Sequence, residues 1–313
     1  MIRLDQVKLG YRLIEDTNNE CNEFYEEIAK DIQQTLIMFV CERGHGKSTS
    51  LKTIVQYCKD NHVELFFKIF DVSQSWYHKA PVRYRQRVTM EDLYNLYLGN
   101  RKAKLSNICD CVYEIGALNK EGRRLFVSHI IKQDWEERYN LKLDNHGLLD
   151  KLPFIVYVFE EANVYFGSYS LRKNDEVSPI LNDFISVGRN YKLSAFLVTT
   201  VEMGEMSPSL RDRSRKIYGR IISDRDFNAV KRKDKELAES LKTLPKYHFV
   251  YMGDNTIGPI RIPDTVNHTP IDPFSLLEEE TQLIVESKPS PWVTLFVWGV
   301  VGLLVLVAIL SSL

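Results

Sequence analysis

The chain has 313 residues, 44% of them hydrophobic, and its 41 lysines and arginines are balanced by 42 acids. There is ample material for one large core with an appendage, and an all-basic nucleic-acid binder is excluded, so any DNA contact must come from local patches. Five cysteines, an odd number without zinc-type spacing, read as reduced thiols of a cytosolic chain rather than a disulfide framework or a metal site.

Residues 1–34 form a lead-in without an apolar h-region, so no cleavable signal is expected. It ends in a helix around 22–34, where Phe24, Tyr25, Ile28 and Ile32 fall on one face. Thr35 opens the stretch on which the rest depends, TLIMFVCERGHGKSTSLKT. Leu36 to Val40 is an apolar run of strand length, Glu42 to Gly46 a turn, and Leu51, Ile54 and Val55 mark a helix after it. Strand, glycine loop with GK[ST], then helix is the arrangement that cradles nucleotide phosphates. A bare GK[ST] arises by chance in about one chain in six of this length; the strand before and the helix after lift this one above that background. The candidate nucleotide contacts are Arg43, Gly44, His45, Gly46, Lys47, Ser48 and Thr49. Loop and helix N–H groups would take the phosphates, Lys47 would span the β- and γ-phosphates, and Ser48 would ligate Mg²⁺.

Downstream, 62–71 is a strand that ends in an acid, Asp71. From 74 to 104 basic residues alternate with aromatics, as on a solvated surface or a nucleic-acid contact. The stretch 107–116 reads as a strand, with Cys109 and Cys111 alternating as core residues, and 120–140 reads as a long helix. Leu152 to Phe159 is a continuous apolar run typical of a parallel strand covered on both faces. A helix over 178–190, a buried strand over 193–200, and shorter strands over 216–222 and 247–252 flanking a charged helix, 224–242, complete the pattern. Alternating strands and helices give an α/β class, a mainly parallel sheet flanked by helices, over 35–263. Prolines then punctuate a tether, 264–290. The segment 291–313 is the last, and from Trp292 onward it holds no charged residue. It is expected to be a single C-terminal transmembrane helix, anchoring a cytoplasmic domain to a membrane.

A nucleotide hydrolase also needs a carboxylate for Mg²⁺ and a base for the attacking water, at the end of a strand beside the loop. Glu160 and Glu161 follow the 152–159 run directly. Glu160 is assigned to the metal, with Ser48, and Glu161 to the water.

GHGKST at 44–49, VYVFEEAN at 156–163, VGRNYKLSAFLVTT at 187–200, SPSLRDRSR at 207–215 and GPIRIP at 258–263 together resemble the FtsK/HerA superfamily of P-loop ATPases, especially its small viral and plasmid members. The resemblance implies ring-forming motors, commonly hexameric, that use ATP and Mg²⁺ to move DNA or otherwise use ATP in assembly. It also implies Lys47 and Ser48 as nucleotide and magnesium contacts, Glu161 as the catalytic glutamate and Thr200 as the sensor-strand end. The terminal span gives a layout similar to the zonula occludens toxin-like ATPases of filamentous-phage assembly, whose cargo is protein; virion or assembly proteins are then partners. Three positions depart from the family pattern: Cys41 replaces the first glycine of the loop, Glu160 stands where aspartate is usual, and Val201 replaces a sensor glutamine. A ring ATPase further needs a cation from a neighbouring subunit. Arg189 is the first candidate, Arg211 and Arg213 the second.

Overall fold

Strands β1 (Ile37–Val40), β2 (Leu65–Asp71), β3 (Tyr84–Arg87), β4 (Cys111–Glu114), β5 (Phe154–Phe159), β6 (Leu193–Thr199), β7 (Arg215–Tyr218), β8 (His248–Met252) and β9 (Thr256–Arg261) form one nine-stranded sheet in the order β3-β4-β2-β5-β6-β1-β7-β8-β9. Strands β1 to β7 run parallel, and β8 and β9 add an antiparallel margin. The computed structural model describes residues 18–97, 110–144, 146–201, 205–254 and 256–272. The chain divides into two compact units, 1–271 and 272–313, and every element named here belongs to the first.

The helices are α1 (Asn18–Asp31), α2 (Lys47–Asn61), α3 (Met90–Tyr97), α4 (Lys120–Asp144), α5 (His146–Lys151), α6 (Asn163–Phe166), α7 (Val177–Val187), α8 (Pro208–Arg213), α9 (Asp224–Lys233) and α10 (Lys235–Thr243). Because side chains alternate along a strand, an unbroken apolar run needs cover on both faces. Ile37 and Phe39 pack with Phe24 and Ile28 of α1 and with Leu51, Ile54 and Val55 of α2. Met38 and Val40 belong to the opposite core, with Phe126 of α4, Phe184 of α7 and Leu241 of α10. Truncating a fully buried ring such as Phe39 to alanine would cost about 3–5 kcal/mol.

A buried ion pair sits inside the second core. Lys68 of β2, fully buried, donates to both Asp134 oxygens at 2.7 and 2.8 Å, and the Tyr157 hydroxyl donates to Asp134 Oδ2 at 2.6 Å. The pair ties β2 and β5 to α4. Removing one partner would strand the other charge in the core.

Several expectations shift in detail. The charged helix over 224–242 is two helices, because Asp234 leaves helical geometry and its carboxylate accepts from the Leu237 N–H at 2.9 Å, capping α10. The basic, aromatic stretch after residue 74 is not all surface, since Trp76, Ala80 and Val82 are buried and β3 joins the sheet. β9 was not read as a strand. Residues 264–271, read as the start of a tether, belong to the first unit and, with Pro263, are bonded to it. Thr53 donates to the Pro263 carbonyl, Ala80 to that of His268, and Ile271 exchanges backbone bonds with Arg83 and Arg85. The expected transmembrane helix, 291–313, lies outside the described residues; among those described, no helix is long and apolar enough to cross a membrane.

Candidate active site

The phosphate loop runs from the end of β1 into α2. Gly44 and Gly46 have φ of +84° and +91°, the left-handed region where glycine pays no steric penalty. Gly46 is the N-cap of α2 and its carbonyl accepts from the Ser50 N–H at 2.8 Å. The first N–H groups of α2 therefore open toward the cleft with the positive end of the helix dipole behind them. The Lys47 ammonium donates to the Cys41 carbonyl at 2.7 Å and the Glu42 carbonyl at 3.1 Å, and burial lowers its pKa.

Cys41, at the position of the missing first glycine, is buried, and across the sheet lies Gly219. A Cβ at Gly219 would fall 2.4 Å from the Cys41 sulfur, so the side chain gained at one position is matched by a glycine at the other. Burial pushes the Cys41 thiol up to about 11, which leaves it protonated and unreactive at neutral pH.

β5 lies two strands from β1, across β6, and it ends in the two carboxylates. Glu160 is buried. Its Oε1 accepts from the Ser48 hydroxyl at 3.0 Å, the Ser75 hydroxyl at 2.9 Å and the Trp76 ring N–H at 3.1 Å, and its Oε2 accepts from the Ser73 hydroxyl at 2.9 Å. Behind this ring of donors stands Asp71, at the end of β2. Its two oxygens accept the backbone N–H groups of Ser73, Ser75, Trp76 and Tyr77 at 2.8 to 3.1 Å. That folds residues 71–77 into a turn which aims the two serines and the indole at Glu160. Burial and the nearby Glu160 charge push the Asp71 carboxyl up, against the pull of the Trp76 and Tyr77 N–H groups. Asp71, Ser73, Ser75 and Trp76 were not assigned a role from sequence. The signal was present in DVSQSW, an acid at a strand end followed by small hydroxyl residues at a spacing of two.

Glu161 is placed differently. Its φ is +53°, and its side chain is half exposed, with Oε2 3.8 Å from the Arg123 guanidinium. Arg123 is itself held by the Leu118 and Gly116 carbonyls at 2.9 and 3.2 Å. Two adjacent carboxylates thus have distinct surroundings: one buried among donors, one free to meet water.

Both line a cleft of ≈ 680 Å³ with Arg43, Gly44, Gly46, Lys47, Ser48 and Thr49, and with Thr199 and Thr200 at the end of β6. His45 stays outside that lining and approaches Glu42 at 3.2 Å. Oxygen donors suit Mg²⁺, which keeps several water and phosphate ligands and needs few from protein. Ser48 and Glu160, already in contact, fit that demand. Among the described residues no group of three His, Cys, Asp or Glu side chains gathers to hold a metal.

Arg189 is not in this cleft. It precedes β6, at the amino edge of the sheet, about 20 Å of strand from the phosphate loop, where its guanidinium donates to the Gln34 carbonyl at 3.2 Å. Arg211 and Arg213, from α8, line the same amino-edge cleft of ≈ 830 Å³ with Arg232 and Lys233. All three candidate cations sit together there, out of reach of the phosphate loop.

No protein-family model and no curated protein matches the sequence. Among solved structures the chain is similar to the genome packaging NTPase B204 from Sulfolobus turreted icosahedral virus 2 in complex with sulfate, at 16% identity and a TM-score of 0.48, covering 72% of this chain and 96% of that one. B204 in complex with ATP-gammaS matches at 16% identity and a TM-score of 0.44, over 75% and 97% of the two chains. EssC (ATPases 2 and 3) from Geobacillus thermodenitrificans matches at 15% identity and 0.49, over 83% of this chain and 46% of that one. Each is an NTPase or ATPase by name; the chemistry assigned to the cleft here comes from its own side chains.

Proposed function

We propose that this chain is an ATP-hydrolysing motor that works as a ring and moves DNA. One observation carries the hydrolytic part: the Ser48 hydroxyl of the phosphate loop is bonded to Glu160, while the neighbouring Glu161 opens into the same cleft. The loop N–H groups and Lys47 would hold the triphosphate, and Ser48 with Glu160 would hold Mg²⁺. The metal, when bound, neutralises charge on the β- and γ-phosphate oxygens. Glu161 would orient the attacking water and take its proton, since its half-exposed carboxylate lines the cleft while Glu160 is occupied by its donors. Thr199 and Thr200 line the wall beside it.

The placement of the arginines supports the ring reading. A cation that stabilises charge in phosphoryl transfer must reach the phosphates, and Arg189, Arg211 and Arg213 face away from their own. They would serve a neighbour's nucleotide. The DNA cargo draws on the sequence resemblance. Hydrolysis by the purified chain, measured with and without double-stranded DNA, tests it. Stimulation by DNA supports a DNA motor, whereas turnover indifferent to DNA favours a protein cargo, as in the zonula occludens toxin-like layout. Nucleotide binding without turnover would leave a scaffold.

We further infer that the uncharged segment 292–313 anchors the motor to a membrane with the ATPase domain on the ATP-rich side. Full-length chain should resist carbonate extraction from vesicles and a chain ending at Lys288 should be released; release of both would sink the anchor.

A further inference from the structure

The phosphate cleft has two unlike ends. β1, which delivers the loop, is flanked by β6 and β5 on one side and by β7 and β8 on the other. Glu160, Glu161, Thr199 and Thr200 stand on the first flank, so the metal and the γ-phosphate belong there. On the second flank the lining is Lys246 and Tyr247, from the connection between α10 and β8. Tyr247 is the aromatic side chain among the residues that line the cleft.

Its position is held from several directions. The Tyr247 N–H donates to the His45 carbonyl of the phosphate loop at 3.2 Å, and its own carbonyl accepts from the Ile262 N–H at 2.9 Å. Its ring lies over Gly46 so closely that a Cβ there would fall 2.3 Å from it. Gly46 is thus required twice, for its φ and for this approach. The backbone of Tyr247 has φ +66°, a region that a bulky residue enters only where its surroundings impose it. The Lys246 ammonium lies 4.8 Å from the ring centroid. A strained, half-buried tyrosine docked on the loop, with a cation on its face and a cleft beside it, is more than packing needs.

A nucleotide laid along this cleft with its γ-phosphate at Glu161 carries its base toward the β7–β8 flank. Resting on the phosphate-loop reading, we propose that Tyr247 is the platform on which the nucleobase stacks, the base taking the place of the Lys246 ammonium on the ring. The ligand class is a purine nucleoside triphosphate, whose larger ring gains more from an aromatic face than a pyrimidine does. The platform would also couple the loop to β8 and β9 through the two backbone bonds of Tyr247.

The test separates base from phosphates. Affinities of the full-length chain for ATP and for inorganic tripolyphosphate, which has no base, are measured by calorimetry in wild type, Tyr247→Ala, Tyr247→Leu and Tyr247→Phe. Stacking predicts that Ala and Leu each weaken ATP by about 10- to 100-fold, leave tripolyphosphate at its wild-type affinity, and that Phe restores ATP. Leu keeps the volume over Gly46 without an aromatic face, so recovery by Leu would reduce Tyr247 to a prop. Parallel loss of ATP and tripolyphosphate, or no loss of either, also overturns the platform. Tripolyphosphate binding that ignores Lys47→Ala would instead overturn the phosphate-loop reading, and the platform with it.

Discussion

At the carboxyl edge of the sheet Glu160 is buried and receives four side-chain donors, three of which, on Ser73, Ser75 and Trp76, a second carboxylate, Asp71, holds in place. At the amino edge Arg189 and Arg213 are exposed, and Arg189 is held by one hydrogen bond to a backbone carbonyl. The first edge is organised by its own chain. Its dipoles are fixed before any ligand arrives, which is the condition for electrostatic stabilisation without reorganisation. The second gathers arginines around a cleft away from the phosphate loop. The chain therefore presents a donor-lined carboxylate beside the phosphate loop on one edge and a cationic cleft on the other, the asymmetry on which the proposed head-to-tail ring rests.

The sharpest way to break this contrast is at the finished edge. Lys47→Ala should abolish ATP turnover and strongly weaken nucleotide affinity, because it removes the charge across the β- and γ-phosphates. Glu161→Gln should keep nucleotide affinity and lower turnover by about 10²- to 10⁴-fold, the range for a lost general base. Affinity and turnover measured side by side separate the two, and equal loss of binding in both variants would refute the division of labour.

Next in size is the support beneath the site. Asp71→Ala leaves four turn N–H groups without their acceptor and should cost about 3 kcal/mol of stability in a denaturant melt, with weaker Mg²⁺ dependence on Glu160 as the turn relaxes. Asp134→Ala, which strands the Lys68 charge in the core, should cost about 3–5 kcal/mol without bearing on the phosphate loop directly. If Asp71→Ala alters stability no more than a surface change, the turn is not what aims the donors.

At the amino edge the effect should appear only between subunits. Arg189→Ala mixed into wild type should depress ATPase activity more than dilution predicts, and a strictly linear fall with mutant fraction would count against a shared site. The smallest effect concerns Cys41. Its folded pKa of about 11 lies above the ordinary thiol value of 9.0. Its contribution to stability is therefore complete below about pH 9 and is lost as pH rises through 11. Folded protein at pH 8 should react with a thiol reagent at Cys41 only after unfolding, followed by mass spectrometry of the labelled peptide.

Much of the finished edge was legible because its parts are local. Strand, glycine turn and helix are consecutive from Ile37 to Asn61, so period and turn chemistry suffice to read them. The same is true of Glu160 and Glu161 at the end of an apolar run. The long buried strands also declared themselves, since a parallel strand covered on both faces must be apolar throughout. β9 did not, because TIGPIR carries glycine and proline against strand propensity. It is tolerated there because β9 is the outermost strand, where a missing N–H breaks no ladder.

By itself the sequence determined that a phosphate loop and a pair of strand-end carboxylates exist, because short-range spacing dictates both. Tertiary structure decided which groups meet them. Ser48 and Glu160 are separated by 112 residues, and Ser73 and Glu160 by 87; only the strand order, with β2 beside β5, brings them together. It matched Cys41 to Gly219, set Tyr247 over Gly46, and put Arg189 at the edge its own nucleotide cannot reach. Spacing along the chain carries no record of those distances, because they are fixed by how strands pair rather than by how residues follow one another.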